Sequence, residues 1–173
     1  PLITNDEKEP LIEEIYTIYI DSKNRLWIGT VSGAIYTYQN DELTLIADFR
    51  SQGDTRTIRD ILEDEYHSIW FATKSNGLVR IKEDGELESY SQDQGLPNSQ
   101  IHSIMIDKEN NLWVGSNTSG LLRFHETKII PFGEEEGLPH SDVRTITADK
   151  HGTIWVGTSG GGIATINKDN KIE

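Results

Sequence analysis

Tryptophan stands at positions 27, 70, 113 and 155, each time inside a near-copy of one phrase: LWIGT (Leu26 to Thr30), IWFAT (Ile69 to Thr73), LWVGS (Leu112 to Ser116) and IWVGT (Ile154 to Thr158). The intervals are 43, 43 and 42 residues. A unit that recurs at a steady interval must solve the same packing problem at each recurrence, so the period constrains the fold more than any single residue does.

The match extends beyond tryptophan. An aspartate precedes each Trp by six residues (Asp21, Asp64, Asp107, Asp149), and an isoleucine precedes it by nine (Ile18, Ile61, Ile104, Ile146). Twelve residues before it come Ile15, Ile58, Ile101 and Val143, and two after it a small residue, Gly29, Ala72, Gly115 or Gly157. A glycine follows six or seven residues after each Trp: Gly33, Gly77, Gly120 and Gly162.

Within one copy, the β-rich run Ile101 to Ile106 leads through a polar turn into Leu112 to Ser116. A Gly-bearing turn then leads into Leu121 to Phe124, and the run Thr127 to Phe132 supplies a fourth strand. Short strands, regular turn signals and no 3.6-residue apolar period predict an all-β chain. Solenoids need shorter or helical repeats. Four antiparallel strands in about 40–45 residues make the blade of a β-propeller. The chain therefore reads as one propeller region, 1–173, with repeats at about 15–57, 58–100, 101–142 and 143–173, and with 1–14 supplying an outer strand and linker.

The repeated columns have physical work to do. A Trp in the second strand lies between neighbouring blades, and the small residue two positions on shares its face and leaves room for the adjacent sheet. Each Asp opens the hairpin between the first two strands, where its carboxylate bonds the following backbone N–H groups. On this reading the four carboxylates are structural, not metal-binding or acid-base groups.

The phrase I-x-x-I-x-x-D-x-x-x-x-L-W-[IV]-G-T, introduced by a G-L-P-[NH]-S linker (Gly95 to Ser99, Gly137 to Ser141), resembles the two-component regulator propeller repeat. Copies three and four are nearest to it. Copy one carries Glu9-Pro10-Leu11 where the linker has Gly-Leu-Pro, and copy two has Gly53-Asp54-Thr55 in a loop two residues shorter. The resemblance implies a non-catalytic extracytoplasmic sensor region of a bacterial hybrid histidine kinase or cyclic-di-GMP signalling receptor. That region would be periplasmic, part of a membrane-anchored receptor, and would sense an oligosaccharide or related nutrient. It also implies about seven blades per ring, so four repeats read as part of a larger propeller.

Aligned on Ile15 and Ile101, Leu2-Ile3-Thr4 falls at an outer-strand position, and copy four ends near Lys171-Ile172 before its own outer strand is complete. Such a permutation is what a propeller uses to close its ring. A closed four-bladed ring, an open arc and an eight-bladed dimer of two arcs are the alternatives. Open blade edges or faces make self-association, or a docking role for the module, an expectation of its own.

Charge narrows the partners. With 29 acidic against 16 basic residues the net charge is −13, which argues against nucleic acid or an anionic membrane. There is no cysteine, so disulfides, thiol chemistry and cysteine-ligated metals are excluded. No apolar run approaches the roughly 20 residues of a membrane helix. No cofactor is expected, and no direct membrane contact within this chain.

One column reads as a site. Eleven residues before each Trp stand Tyr16, Arg59, His102 and Arg144, at the start of what would be the innermost strand, with Arg56, Asn98, His140 and Asp142 on the same rim. A basic and aromatic ring on an acidic protein would focus a small anionic saccharide such as a uronate or sulfated sugar. The plainer reading makes these residues hydrogen-bonding partners of the loops between blades.

An enzyme is the less favoured class. Lyases acting on cyclic peptide antibiotics, of the streptogramin type, share D-G-x-[IL]-W-F phrases of this kind. They would require His102 or His140 as base with Asp142 or Glu136 as companion. His67 and His151 fall in first hairpin turns on the opposite rim. The run Glu134-Glu135-Glu136 reads as a solvated loop, although such carboxylates can recruit calcium. Ser159-Gly160-Gly161-Gly162 is a glycine turn and not a phosphate cradle, since no helix follows it.

Overall fold

A computed structural model describes residues 13–50, 56–125 and 128–173. Its strands form four separate antiparallel sheets, one per repeat. The first contains β1 (Ile15–Ile20), β2 (Leu26–Thr30), β3 (Ala34–Gln39) and β4 (Glu42–Asp48). The second contains β5 (Ile58–Glu63), β6 (Ile69–Thr73), β7 (Leu78–Ile81) and β8 (Leu87–Tyr90). The third contains β9 (Ile101–Ile106), β10 (Leu112–Ser116), β11 (Leu121–His125) and β12 (Lys128–Phe132), and the fourth β13 (Val143–Ala148), β14 (Ile154–Thr158) and β15 (Gly162–Ile166). In each sheet the strands lie side by side in chain order, as in a propeller blade. No α-helix lies among the described residues.

The blades follow one another along an arc. Innermost strands meet across the junctions, β1 against β5, β5 against β9 and β9 against β13. The core sits between blades instead of inside them. Trp27, Ile35 and Phe49 of the first blade pack on Ile58, Ile61 and Phe71 of the second. Trp70, Ala72 and Leu78 pack on Ile101, Ile104 and Val114 of the third, and Trp113 and Leu121 on Val143, Ile146 and Val156 of the fourth. The leucines of the two G-L-P linkers, Leu96 and Leu138, are buried in these last two clusters. The linker phrase is therefore a packing element: its leucine plugs the junction that its backbone crosses.

Each repeated aspartate accepts more bonds than the sequence reading assigned to it. Asp107 takes the backbone N–H groups of Glu109 and Asn111 on one oxygen at 2.9 Å each, and the Trp113 indole Nε1–H on the other at 2.7 Å. Asp21 and Asp64 repeat the indole bond at 2.8 Å. Hairpin turn and interblade wedge are thus tied to one carboxylate, which accounts for the fixed six-residue spacing. Asp21 is held below the ordinary value of 3.8: burial works against the charged form, and the bonds from Trp27 and Arg25 outweigh it.

The small-residue column has an equally direct cause. A Cβ on Gly115 would stand 2.6 Å from Val143 Cγ1 and 2.9 Å from Ser103 Oγ, so any larger residue would push the third and fourth blades apart.

One expectation needs correction. Trp155 does not wedge between blades as the other three do; it is 42 % exposed, because no further described sheet lies on its face. The third blade's outer strand covers Lys128–Phe132, and Thr127 lies outside the described residues. So do Leu2-Ile3-Thr4, Glu9-Pro10-Leu11 and Gly53-Asp54-Thr55. At the other end an isolated bridge between Ile166 and Ile172 begins a fourth strand on the last blade.

Candidate functional site

Tyr16, Arg59, His102 and Arg144 occupy the same irregularity in four blades. The register between first and second strand shifts between Ile15 and Thr17, between Ile58 and Asp60, between Ile101 and Ser103, and between Val143 and Thr145. Beyond the shift the strands are joined again, through Val31 N–H to Glu14 O at 2.8 Å, Lys74 to Thr57 at 3.0 Å, Asn117 to Gln100 at 3.0 Å and Ser159 to Asp142 at 2.8 Å. Each of the four residues is therefore the extra residue of a β-bulge. A bulge bends the strand and re-aims the side chain it carries. Since these are the innermost strands, the fold presents the whole column at one mouth of the arc's inner surface.

Three of the four are linked across blades. Arg59 Nη1 lies 2.7 Å from His102 Nδ1 and donates to the Ile101 carbonyl at 3.2 Å. A guanidinium can only donate, so Nδ1 accepts in the shorter contact, and the same Nη1 also lies 3.3 Å from Nε2. That nitrogen faces Asn117 Oδ1 at 3.3 Å and Asp142 Oδ1 at 3.6 Å. The other Asp142 oxygen pairs with Arg144 at 2.6 Å. The line Arg59, His102, Asp142, Arg144 thus spans the second, third and fourth blades, and Tyr16, exposed on the first, lies in electrostatic range of Arg59.

Burial lowers the pKa of Arg59, with the Arg144 charge adding to it. Burial also carries the His102 imidazole below its ordinary 6.5; the Asn117 bond opposes this, while the Arg59 and Arg144 charges push the same way. His102 is consequently neutral at neutral pH, and Asp142 Oδ1 is left buried without a hydrogen-bond partner among the described residues. Half of Arg144 remains exposed. The group has a free cationic side and an under-satisfied carboxylate beneath it, an arrangement suited to a ligand with both an acidic group and hydroxyls.

The remaining candidates act in the linkers. Arg56 donates to Asn76 Oδ1, and Asn98 to the Thr118 hydroxyl. His140 Nδ1 accepts the Asp142 backbone N–H at 3.0 Å and so braces Asp142. Asn117 escaped the sequence reading. Its signal was position: it follows LWVGS directly, beside the bulge, where the other copies carry Val31, Lys74 and Ser159.

Of the acid-base companions of a lyase, Asp142 has one oxygen paired with Arg144 at 2.6 Å, and Glu136 is held within its own loop. Glu136 accepts the Gly133 N–H at 2.7 Å, and Glu134 takes both the hydroxyl and the N–H of Ser141 at 2.6 and 2.9 Å. A Ser-His-Glu group does occur on the hairpin rim, yet Ser22 Oγ and Glu63 Oε1 both approach Nδ1 of His67, at 3.1 and 3.0 Å. A nucleophile relay needs them on opposite ring nitrogens, so this trio is a clip between the first two blades. Among the described residues no set of three or more His, Asp or Glu side chains could hold a metal ion.

Comparison with known proteins fits the blade architecture. The family model described as two component regulator propeller matches residues 11–32, 95–118 and 137–160, each match covering a linker and the first hairpin of a copy. Three of the four copies thus match the two component regulator propeller repeat. Among solved structures, the chain is similar to the extracellular domain of BT4673 from B. thetaiotaomicron, a structure described as belonging to a one component system, at 26 % identity and a TM-score of 0.78 over 98 % of this chain and 25 % of that one. It is also similar to the extracellular domain of BT3049, assigned to a hybrid two component system of the same organism, at 24 % identity and a TM-score of 0.79 over 99 % of this chain and 24 % of the other. Virginiamycin B lyase from Staphylococcus aureus shares the fold at 23 % identity and a TM-score of 0.76, over all of this chain and 57 % of the lyase. No curated protein sequence matches the chain. The chain spans about a quarter of the length of the extracellular domains it matches. No helix among the described residues is long and apolar enough to cross a membrane.

Proposed function

We propose that this chain is part of a non-catalytic, ligand-sensing propeller that lies outside the cytoplasm in a bacterial two-component receptor, and that it takes a small anionic saccharide at the bulge column. The observation that carries the reading is the repeated bulge. It turns Tyr16, Arg59, His102 and Arg144 to one rim of a strongly acidic protein. The similarity to extracellular domains of bacterial signalling systems supports the sensing role.

Titration calorimetry against a panel of uronate and sulfated oligosaccharides tests it. Arg59→Ala with Arg144→Ala is expected to weaken binding by about 100-fold, since two charge-assisted contacts are removed. A bound anion offsets the positive charge around His102 and raises its pKa, so binding takes up a proton. Affinity should therefore rise as pH falls from about 7 to about 5.5. Undiminished binding by the double variant, or affinity that falls on acidification, would remove this location.

A docking role is the second reading, favoured by apolar side chains on the outer faces of the arc. Trp155 and Ile163 are exposed on the fourth blade, and Ile18 and Ile20 on the first. Sedimentation separates the two roles: association that depends on protein concentration, needs no saccharide and is abolished by Ile163→Asp marks docking.

A further inference from the structure

The hairpin rim, opposite the bulge column, carries a cleft at each of two junctions, and their linings differ in charge. Between the second and third blades the cleft, of about 430 Å³, is lined by Trp70, Tyr90 and Phe124 with Asp64, Glu65 and Glu109, and by one cation, Arg80, which pairs with Asp64 at 2.9 Å. There Asn110 bridges the mouth to Glu65 at 2.7 Å. Between the third and fourth blades the cleft, of about 330 Å³, is lined by Lys108, Arg123, Lys150, His151 and Lys168. Four of the protein's 16 lysines and arginines thus converge on one cleft of a chain whose net charge is −13.

These cations are not consumed by the protein. Among the described residues none of Lys108, Arg123, Lys150 and Lys168 forms an ion pair, whereas Lys23 at the first junction pairs with Glu83 at 2.7 Å. Lys108 is steadied across the junction by the Lys150 carbonyl at 2.6 Å, which holds its ammonium over the cleft. Arg123 forms the floor, with its guanidinium 5.4 Å from the centre of the Trp113 ring, one bond to Asn170 at 2.5 Å, and a buried Nε without a partner. The carboxylates on the lining are Asp107 and Glu109. Asp107 is saturated by Asn111, Trp113 and backbone N–H groups, which leaves Glu109 as the one counter-charge free to move.

We propose that this cleft binds a small, multiply charged oxyanion, a phosphate monoester or a multiply sulfated sugar of about disaccharide size or less. Several ammonium groups and a guanidinium around one cavity favour divalent oxyanions over a single carboxylate, and the volume lies at the small end of ligand sites. The site is separate from the bulge column and does not rest on the reading of that column.

Calorimetry on the protein with inorganic pyrophosphate and, separately, with a disulfated disaccharide tests the assignment and distinguishes phosphate from sulfate chemistry. Saturable binding of one or both is expected, weakening steeply with added salt. A Lys108→Ala, Lys150→Ala, Lys168→Ala variant is expected to bind at least about tenfold more weakly, and Lys82→Ala, whose ammonium pairs with Glu86 and Glu88 on the second blade, to leave pyrophosphate binding unchanged. Lys150→Glu alone, which keeps a long side chain, should produce a loss in the same direction. Circular dichroism melting curves verify that each variant folds. Absence of saturable binding by both probes, wild-type binding by the triple variant, or an equal loss in the Lys82→Ala variant would each overturn it.

Discussion

Trp113→Ala is expected to destabilise the protein by about 3–5 kcal/mol in urea denaturation, the range for deleting a buried large aromatic. The ring is 2 % exposed and bridges the third and fourth blades. Arg123 lies 5.4 Å from its centre, and the Phe132 ring also stands 5.4 Å away. Its removal opens a cavity and deprives Asp107 of the indole donor at 2.7 Å. Trp155→Ala supplies the internal control. That ring carries the same sequence context but is 42 % exposed, with its indole 3.5 Å from Asp149, and its loss is expected to cost about 1 kcal/mol. Equal losses at the two positions would show that the tryptophans do not act as wedges between blades.

Gly77→Ala is expected to cost about 2–5 kcal/mol, combining about 1–2 for a left-handed backbone with about 1–3 for overpacking. The backbone there has φ +71°, and a Cβ would stand 2.1 Å from the carbonyl oxygen of Tyr90, a main-chain atom that cannot swing aside. The Gly77 N–H also donates to the Ser99 carbonyl at 2.8 Å, so the turn is pinned between the outer strand of its own blade and the linker to the next. Gly85 has φ +89° with nothing within 4 Å, so Gly85→Ala carries the backbone term alone and should lose only about 1–2 kcal/mol. Matching losses in the two variants would mean that the close approach to Tyr90 does not exist in solution.

Both predictions turn on what a repeat can and cannot convey. The spacing of Trp27, Trp70, Trp113 and Trp155 led directly to blades, because a buried ring at constant register implies a constant partner surface. The aspartate column was legible as a hairpin signal through its backbone bonds. Its second bond, to the indole, was not, since six residues along a hairpin bring two side chains together only once strand twist and turn type are set. Trp155 shows the reverse limit: its local sequence is that of the other three, yet burial belongs to the neighbour and not to the residue.

The rim column was visible as four residues at one offset, and the innermost strand followed from the fold class. The bulge was invisible, because an extra residue leaves no compositional mark in Ile58-Arg59-Asp60 or Ile101-His102-Ser103. The bulge nevertheless decides which way those side chains point. The cleft of lysines on the opposite rim was equally hidden: Lys108, Lys150 and Lys168 are scattered along the chain and meet only because the third and fourth blades pack side by side.

The sequence alone determined the repeat, its strand content and the residues each blade must bury, because those depend on local period and side-chain volume, which recur with the chain. Tertiary structure decided which tryptophan is covered, where the charged groups gather and how Arg59, His102, Asp142 and Arg144 become one network. Those properties arise between blades, from groups about 43 residues apart, and contacts across that separation exist only once the sheets have packed.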